Sequence, residues 1–261
     1  MTAKIKEARN DAWLLLAALC KIDRSFYYLH MEEAAGQEQV REYQQLIKKR
    51  AERIPLQYIV GETEFMGLRF LVNSNVLIPR QDTETLVEEA LKYTAPGMKV
   101  LDLCTGSGCV IISLLHYAPY IQGYGVDISK QALLVAKENA GLNGAPVHLT
   151  AGDLFARVEG VYDMIVCNPP YIKRDDIAGL MPEVRQFEPW EALDGGEDGL
   201  SFYRRIIAEC PAFLQEGGRL MFEIGCEQGQ DVRELLMQAD FHEIKILQDL
   251  AHNDRVVSAV K

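Results

Sequence analysis

Residues 99–110 read KVLDLCTGSGCV, an apolar, β-branched run that breaks into a short glycine-containing loop and then turns apolar again. The pattern predicts a strand, a tight turn and the start of a helix. Gly106 and Gly108 allow the backbone to turn sharply and to approach a ligand without interference from a Cβ. Taken alone, such a loop is also compatible with a plain turn. The surrounding sequence decides. Outward from it, GYGVDI (123–128), VHLTAG (147–152), YDMIVC (162–167) and RLMFEI (219–224) are further short apolar runs. Helical segments fall between them, around Val110–His116, Lys130–Asn143 and Leu200–Leu214. Alternation of this kind predicts an α/β fold with a parallel sheet covered by helices on both faces. The last two runs, HEIKILQDL (242–250) and DRVVSAVK (254–261), are separated only by AHN. That is too short for a crossover helix, so they should pair antiparallel at the sheet edge.

Upstream the texture differs. Residues 1 to about 53 are expected to be helical, with Trp13, Leu16, Ala17 and Cys20 on one face and Val40, Tyr43, Gln44 and Ile47 on a weaker second stripe. The basic cluster Lys48–Arg53 is either a solvated helix end complementing the dipole or a docking patch. From Gln57 to Pro79, aromatic and β-branched residues around Gly61 and Gly67 suggest a hairpin, and a helix is expected to begin near Asp82. The division read from this is a helical N-terminal domain over 1–60, a connecting hairpin over 61–78 and the α/β domain over 79–261.

The chain has 261 residues and a formal net charge of -11, with 38 acidic against 27 basic side chains. That balance argues against the phosphate backbone as main partner, which needs clustered Lys and Arg. Cys20, Cys104, Cys109, Cys167, Cys210 and Cys226 form no CxxC pair, as expected of free thiols in a reducing cytoplasm. Ala12–Cys20, AWLLLAALC, is too short to span a bilayer. A cytoplasmic protein without a membrane or metal requirement is expected, and a monomer is the default.

The second strand ends in Asp127, where an acidic side chain can accept hydrogen bonds from ribose hydroxyls. A dinucleotide fingerprint would need a third glycine for packing against pyrophosphate. Here that position is Ile111. S-adenosyl-L-methionine has no pyrophosphate, so the loop Thr105–Gly108 is better suited to a sulfonium and an amino-acid tail. The third strand runs into Gly152–Phe155, where Leu154 could lie beside an adenine; Asp153 could contact the adenine edge or simply cap a helix.

The fourth strand stops in Asn168-Pro169-Pro170-Tyr171. An amide or exocyclic amine nitrogen carries two N–H donors and is a poor nucleophile, so two acceptors are needed to hold it. The Asn168 side-chain oxygen and the Pro169 carbonyl supply them. Pro170 stiffens the loop and Tyr171 offers an aromatic face. Catalysis would then be positioning of the nitrogen in line with the departing sulfur, with the two oxygens favouring the positive charge that develops on it.

These residues resemble the amino-methyltransferases that share a (D/N)PP(Y/F) motif. Residues 55–70 (PLQYIVGETEFMGLRF), 76–88 (VLIPRQDTETLVE), 101–108 (LDLCTGSG) and 188–206 (EPWEALDGGEDGLSFYRRI), together with NPPYI, are similar to the HemK/PrmC family. The resemblance covers about residues 8–261. It implies a Rossmann-like S-adenosylmethionine-dependent methyltransferase fold and methylation of N5 of the glutamine in the Gly-Gly-Gln motif of peptide-chain release factors. It implies cofactor contacts at Cys104, Thr105, Gly106, Ser107, Gly108, Asp127, Leu154 and Asn168. Substrate contacts fall on Asn168, Pro169, Pro170 and Tyr171, with Asn168, Pro169 and Tyr171 as the catalytic set. Pro79 and Arg80 would lie near the cofactor or substrate mouth, and the helical N-terminal domain would help hold the release factor. Two departures stand out: Cys104 occupies a position that is usually glycine, and the N-terminus is several residues shorter than usual.

An adenine-N6 methyltransferase acting on DNA or RNA would use the same chemistry. Against it stand the net charge and the acidic segment after Tyr171, where a flipped base needs basic and aromatic surface; no direct nucleic-acid partner is expected. A non-catalytic scaffold would have no use for an amide clamp. Asp194–Gly199, DGGEDG, fits no EF-hand spacing and is expected to be an acidic loop before a helix.

Overall fold

The computed structural model describes residue 5 and residues 7–261; residues 1–4 and 6 of the expected N-terminal domain lie outside the described residues. The N-terminal part contains α1 (Ala8–Cys20), α2 (Arg24–His30), α3 (Gln37–Ala51) and α4 (Leu56–Val60). Asp23 caps α2 by accepting from the Phe26 N–H at 2.7 Å, which satisfies one orphan donor of the first turn. The buried positions of α1 are Asp11 and Leu15 rather than the expected Trp13–Leu16–Ala17–Cys20 stripe, whose members are only half-buried. The reason is polar: Asp11 is drawn inward by Arg50 of α3, and Leu15, one turn on, follows it. Of the second stripe, Val40 and Gln44 are exposed while Tyr43 and Ile47 are half-buried.

A hairpin of β1 (Glu62–Phe65) and β2 (Leu68–Leu71) follows, turning through Met66 and Gly67, both at positive φ. Two successive left-handed residues suit the twist of a tight two-residue turn. After a 3-10 turn over Gln81–Thr83, α5 (Glu84–Leu91) leads into the large sheet. Its elements are β3 (Lys99–Leu103), α6 (Cys109–Tyr117), β4 (Gln122–Asp127), α7 (Lys130–Leu142), β5 (Val147–Ala151) and β6 (Tyr162–Cys167). Then come α8 (Pro182–Phe187), α9 (Ser201–Glu209), β7 (Leu214–Glu223), α10 (Gly229–Gln238), β8 (His242–Gln248) and β9 (Asp254–Val260).

The strand order is β5-β4-β3-β6-β7-β9-β8. Strands β3 to β7 pair parallel, and β9 runs antiparallel to both β7 and β8, as the short AHN connection requires. Alternation along the central strands feeds two cores. Leu101, Leu103, Ile165 and Cys167 face one helical layer with Tyr203, while Val100, Met164 and Val166 face the other with Ile111 and Leu86.

Three boundaries differ from expectation. The run read as a hairpin from Gln57 to Pro79 opens with α4 and pairs only from Glu62 to Leu71. The helix expected to reach Leu214 ends at Glu209 and passes into a 3-10 turn over Cys210–Ala212, because Pro211 has no N–H to continue the ladder. Strand β7 starts at Leu214 rather than Arg219, through a register shift opposite Tyr162 and Met164. Helix α10, which no periodicity had singled out, is an additional element. The order reverses between β3 and β6, and the carboxyl ends of those two strands open the crevice in which α/β sheets bind their ligands.

Candidate active site

At the end of β3 the chain turns through Cys104, Gly106 and Gly108, at φ 59°, 55° and 81°. Cβ atoms are disfavoured in this region, so Cys104 bears strain that glycine would not. At Gly108 a Cβ would lie 2.7 Å from Ile112 Cδ1 and 3.3 Å from the Ala136 methyl, so this glycine closes α6 onto α7. The loop is held from below. The Thr105 hydroxyl donates to Asp102 at 2.6 Å, its N–H donates to the Val126 carbonyl at 2.9 Å, and the Gly106 N–H donates to Asp127 Oδ2 at 2.8 Å. The other oxygen of Asp127 accepts from the Ser129 N–H at 2.8 Å. Asp127 thus pins the loop while each oxygen retains a further lone pair. Burial raises its pKa, opposed by these backbone N–H groups. Asp102, 1% exposed, is pushed up to about 7 by burial, against the pull of Thr105 and the Ile111 N–H.

Across the crevice, β6 ends at Cys167, which is buried beside Cys104; burial first, then the neighbouring Cys104 sulfur, holds its thiol well above the usual range. The next residue, Asn168, donates through Nδ2 to Thr83 Oγ1 at 3.4 Å. The backbone beyond it is held by the DGGEDG segment, which is more than an acidic loop. The Ile172 N–H donates to the Leu193 carbonyl at 3.1 Å and the Gly195 N–H donates to the Ile172 carbonyl at 2.8 Å. Gln228 reaches from α10's N-cap to donate to the Tyr171 and Gly199 carbonyls at 3.0 and 3.1 Å. The Tyr171 hydroxyl donates to Glu223 Oε1 at 3.4 Å, and burial, with that carboxylate, raises the phenol's pKa.

The result is a cavity of about 340 Å³ that brings together Arg80, Cys104, Thr105, Gly106, Ser107, Asp127, Leu154, Asn168 and Pro170. Pro79 lines it as well. Gly108, Pro169 and Tyr171 are not part of its wall: Gly108 packs behind the loop, Pro169 is buried and Tyr171 turns its hydroxyl inward to Glu223. Leu154 is buried at a positive φ of 48°. Asp153 lines the cavity too, and its side chain pairs with Arg205 of α9 at 2.8 Å. Arg80 is tied at 2.5 Å to Glu188, whose side chain is 1% exposed. Sequence reasoning missed Thr83, Glu188 and Glu223 around this cavity, and Asn139, whose amide donates to the Ser107 and Leu71 carbonyls at 2.9 and 3.0 Å. None of these has a local signal, since each acts on residues far along the chain.

Comparison with known proteins bears on this arrangement. Residues 1–61 match the PrmC N-terminal domain, and residues 81–181 match the methyltransferase small domain. The release factor glutamine methyltransferase of Geobacter sulfurreducens is 42% identical over 254 residues, covering 97% of this chain and 89% of that one. That of Cereibacter sphaeroides is 43% identical over 259 residues, covering 98% and 92%. The chain belongs to the release factor glutamine methyltransferase family. Solved structures agree on the fold. A methyltransferase from Pyrococcus furiosus superposes with a TM-score of 0.58 at 15% identity, covering 85% of this chain and 98% of that one. A ribosomal protein L11 methylase from Lactobacillus delbrueckii superposes with a TM-score of 0.53 at 20% identity, covering 72% and 82%. As a release factor glutamine methyltransferase family member, the chain has the Rossmann-like methyltransferase fold, here with its antiparallel final pair β8–β9.

Proposed function

We propose that this cavity is where the chain methylates the side-chain amide nitrogen of the glutamine in the Gly-Gly-Gln motif of peptide-chain release factors, using S-adenosyl-L-methionine. The observation that carries the reading is that Asn168 and Pro170 line the same cavity as the loop Cys104–Ser107 and Asp127. The residues suit the cofactor. Gly106 presents bare backbone, Asp127 keeps acceptor capacity for ribose hydroxyls, and Leu154, Val126 and Ile128 give an apolar side for an adenine. In this reading Cys104, Thr105, Gly106, Ser107, Asp127, Leu154 and Asn168 hold the cofactor, which would supply an electrophilic methyl group on sulfur, while Gly108 shapes the loop from behind.

Asn168 and Pro169 orient the substrate amide: the Asn168 Oδ1 and the Pro169 carbonyl each accept one of its N–H groups. That aims the nitrogen lone pair at the methyl carbon and favours the charge that develops on nitrogen. Pro170 completes the substrate contact from the cavity wall, Tyr171 steadies the turn behind it, and the ion pair of Arg80 with Glu188 shapes the mouth. Residues 1–60 serve as the docking part for the release factor, 61–78 as the connecting hairpin and 79–261 as the transfer domain. The protein acts as a monomer in the cytoplasm, without direct nucleic-acid contact. The six free thiols accord with that compartment, and among the described residues no helix is long and apolar enough to cross a membrane.

The test is methyl transfer from labelled cofactor to purified release factor, to its Gly-Gly-Ala version, and to DNA or RNA, with Asn168→Ala as enzyme control. Label on the intact factor alone, lost by at least about 100-fold with Asn168→Ala, is expected. Label on nucleic acid alone would overturn the reading.

A further inference from the structure

Glu223, the last residue of β7, has no part in the chemistry described so far. It is 2% exposed, and among the described residues its Oε2 has no hydrogen-bond partner. A carboxylate is an expensive way to fill a strand end between apolar layers. Its surroundings give it a use. Oε1 accepts from the Tyr171 hydroxyl at 3.4 Å, and the Thr83 hydroxyl lies against the same carboxylate. Thr83 Oγ1 in turn faces Asn168 Nδ2 at 3.4 Å. Glu223 therefore stands one hydroxyl away from the amide that is to hold the substrate.

The direction of these bonds matters more than their strength. An ionised carboxylate only accepts, so the Thr83 hydroxyl must donate toward it. The Thr83 oxygen then offers Asn168 only lone pairs, which select the N–H side of its amide. Oδ1 is left facing the cavity. A protonated Glu223, or a glutamine, can donate to Thr83 instead. The Thr83 proton is then free to turn toward Asn168, and the amide can present its NH2 group to the substrate, donor against donor.

We propose that Glu223 is a positioning residue, which through Thr83 fixes the amide of Asn168 with its oxygen toward the substrate and through Tyr171 steadies the turn behind it. The proposal rests on the reading that Asn168 holds the glutamine amide. The other groups facing Glu223 come from three elements. Asp82 precedes α5; Arg255 of β9 is shared between Asp82 at 3.3 Å and Asp249 at 3.1 Å; and Tyr203 of α9 donates to the Glu223 carbonyl at 2.9 Å. Burial pushes Glu223 up to about 7, with Thr83, Arg255 and Tyr171 pulling down and Asp82 pushing up. The carboxylate form, and with it the productive amide orientation, is therefore lost on the acid side of neutrality.

The experiment measures kcat, KM and cofactor affinity of the full chain on purified release factor across pH, for wild type, Glu223→Gln, Thr83→Ala, Thr83→Ser, Asn168→Ala and the double variant Glu223→Gln/Thr83→Ala. Expected for Glu223→Gln at about pH 8 are a kcat lower by about 10- to 100-fold, a cofactor affinity within about twofold, and no acid limb near neutrality. Thr83→Ser retains activity, Thr83→Ala falls as Glu223→Gln does, and the double variant is no worse than either single one, since all act through one contact. A fully active Glu223→Gln, an acid limb in kcat at saturating cofactor that survives it, or losses that multiply in the double variant would overturn the proposal. Should Glu223→Gln fold poorly by thermal melting, the contrast of Thr83→Ser with Thr83→Ala decides. An active Asn168→Ala sinks the underlying reading itself; an inactive Asn168→Ala beside an active Glu223→Gln sinks only the relay.

Discussion

A methyl group added at Gly195 would sit 2.7 Å from both the carbonyl carbon and the Cα of Tyr171. Backbone cannot swing aside as a flexible side chain does, so Gly195→Ala must displace the turn that carries Asn168 and Tyr171. We expect kcat on release factor to fall at least about tenfold and stability to drop by about 1–3 kcal/mol. Gly179→Ala is the control, because nothing lies within 4 Å of its Cβ, and it should stay within about twofold. Equal kinetics of the two variants would show that the glycine does not set the turn. The same contact shows what the sequence reveals of a site. Asn168-Pro169-Pro170-Tyr171 stands out because its residue types are consecutive, and of these Asn168 and Pro170 line the cavity. The partners of that run do not stand out: Thr83 lies 85 positions from Asn168 and Glu223 lies 52 from Tyr171. Nothing in the composition around Gly195 announces that its missing side chain leaves room for Tyr171.

Among elements, the repeated strand-turn-helix units were readable because periodicity and turn chemistry are local properties. Where a tertiary contact overrode them the reading missed: the inward face of α1, the stop of α9 at Pro211 and the early start of β7. The basic end of α3 is the clearest such case. Lys48 and Lys49 are exposed, as a solvated helix end requires, but Arg50 bonds Asp11 of α1 at 2.7 Å and Glu183 of α8 at 3.0 Å, and Arg53 reaches Glu183 at 2.5 Å. These side chains are 11–22% exposed, so removing one partner leaves a poorly hydrated charge. Burial alone would raise the pKa of Glu183, but backbone and both arginines bring it below the ordinary value. Its contribution is therefore complete at neutral pH and is lost as pH falls through the lowered folded value. Glu183→Ala should cost the N-terminal helices about 2 kcal/mol of protection in hydrogen exchange at neutral pH, leaving β3 to β7 unchanged. Uniform loss across both regions would mean that the clamp stabilises the whole rather than joining parts.

Over the whole molecule, the net charge of -11 reads directly from the sequence, but where its costly members sit does not. Asp102, Asp127 and Glu223 are gathered at the carboxyl ends of β3, β4 and β7, each with a pKa raised first of all by burial. A group whose folded pKa lies above its unfolded one favours folding while protonated. The stability it gives is complete below the unfolded value and is lost as pH rises through the folded value. For Asp102 the window runs from 3.8 to about 7. Asp102→Asn keeps an acceptor for the Thr105 hydroxyl without a buried charge, so it should stabilise the protein by about 2–4 kcal/mol at about pH 8 and by little at about pH 4. Thermal melting of both proteins across that range measures the difference. A gain independent of pH would mean that Asp102 does not titrate in the window. The wild-type carboxylate is then a destabilising charge at working pH, kept beneath the loop on which the methyl donor's sulfonium would rest. A cationic ligand there offsets part of the repulsion among these acids. The cofactor should accordingly raise the melting temperature of wild type more at about pH 8 than at about pH 5, and this gap should narrow in Asp102→Asn.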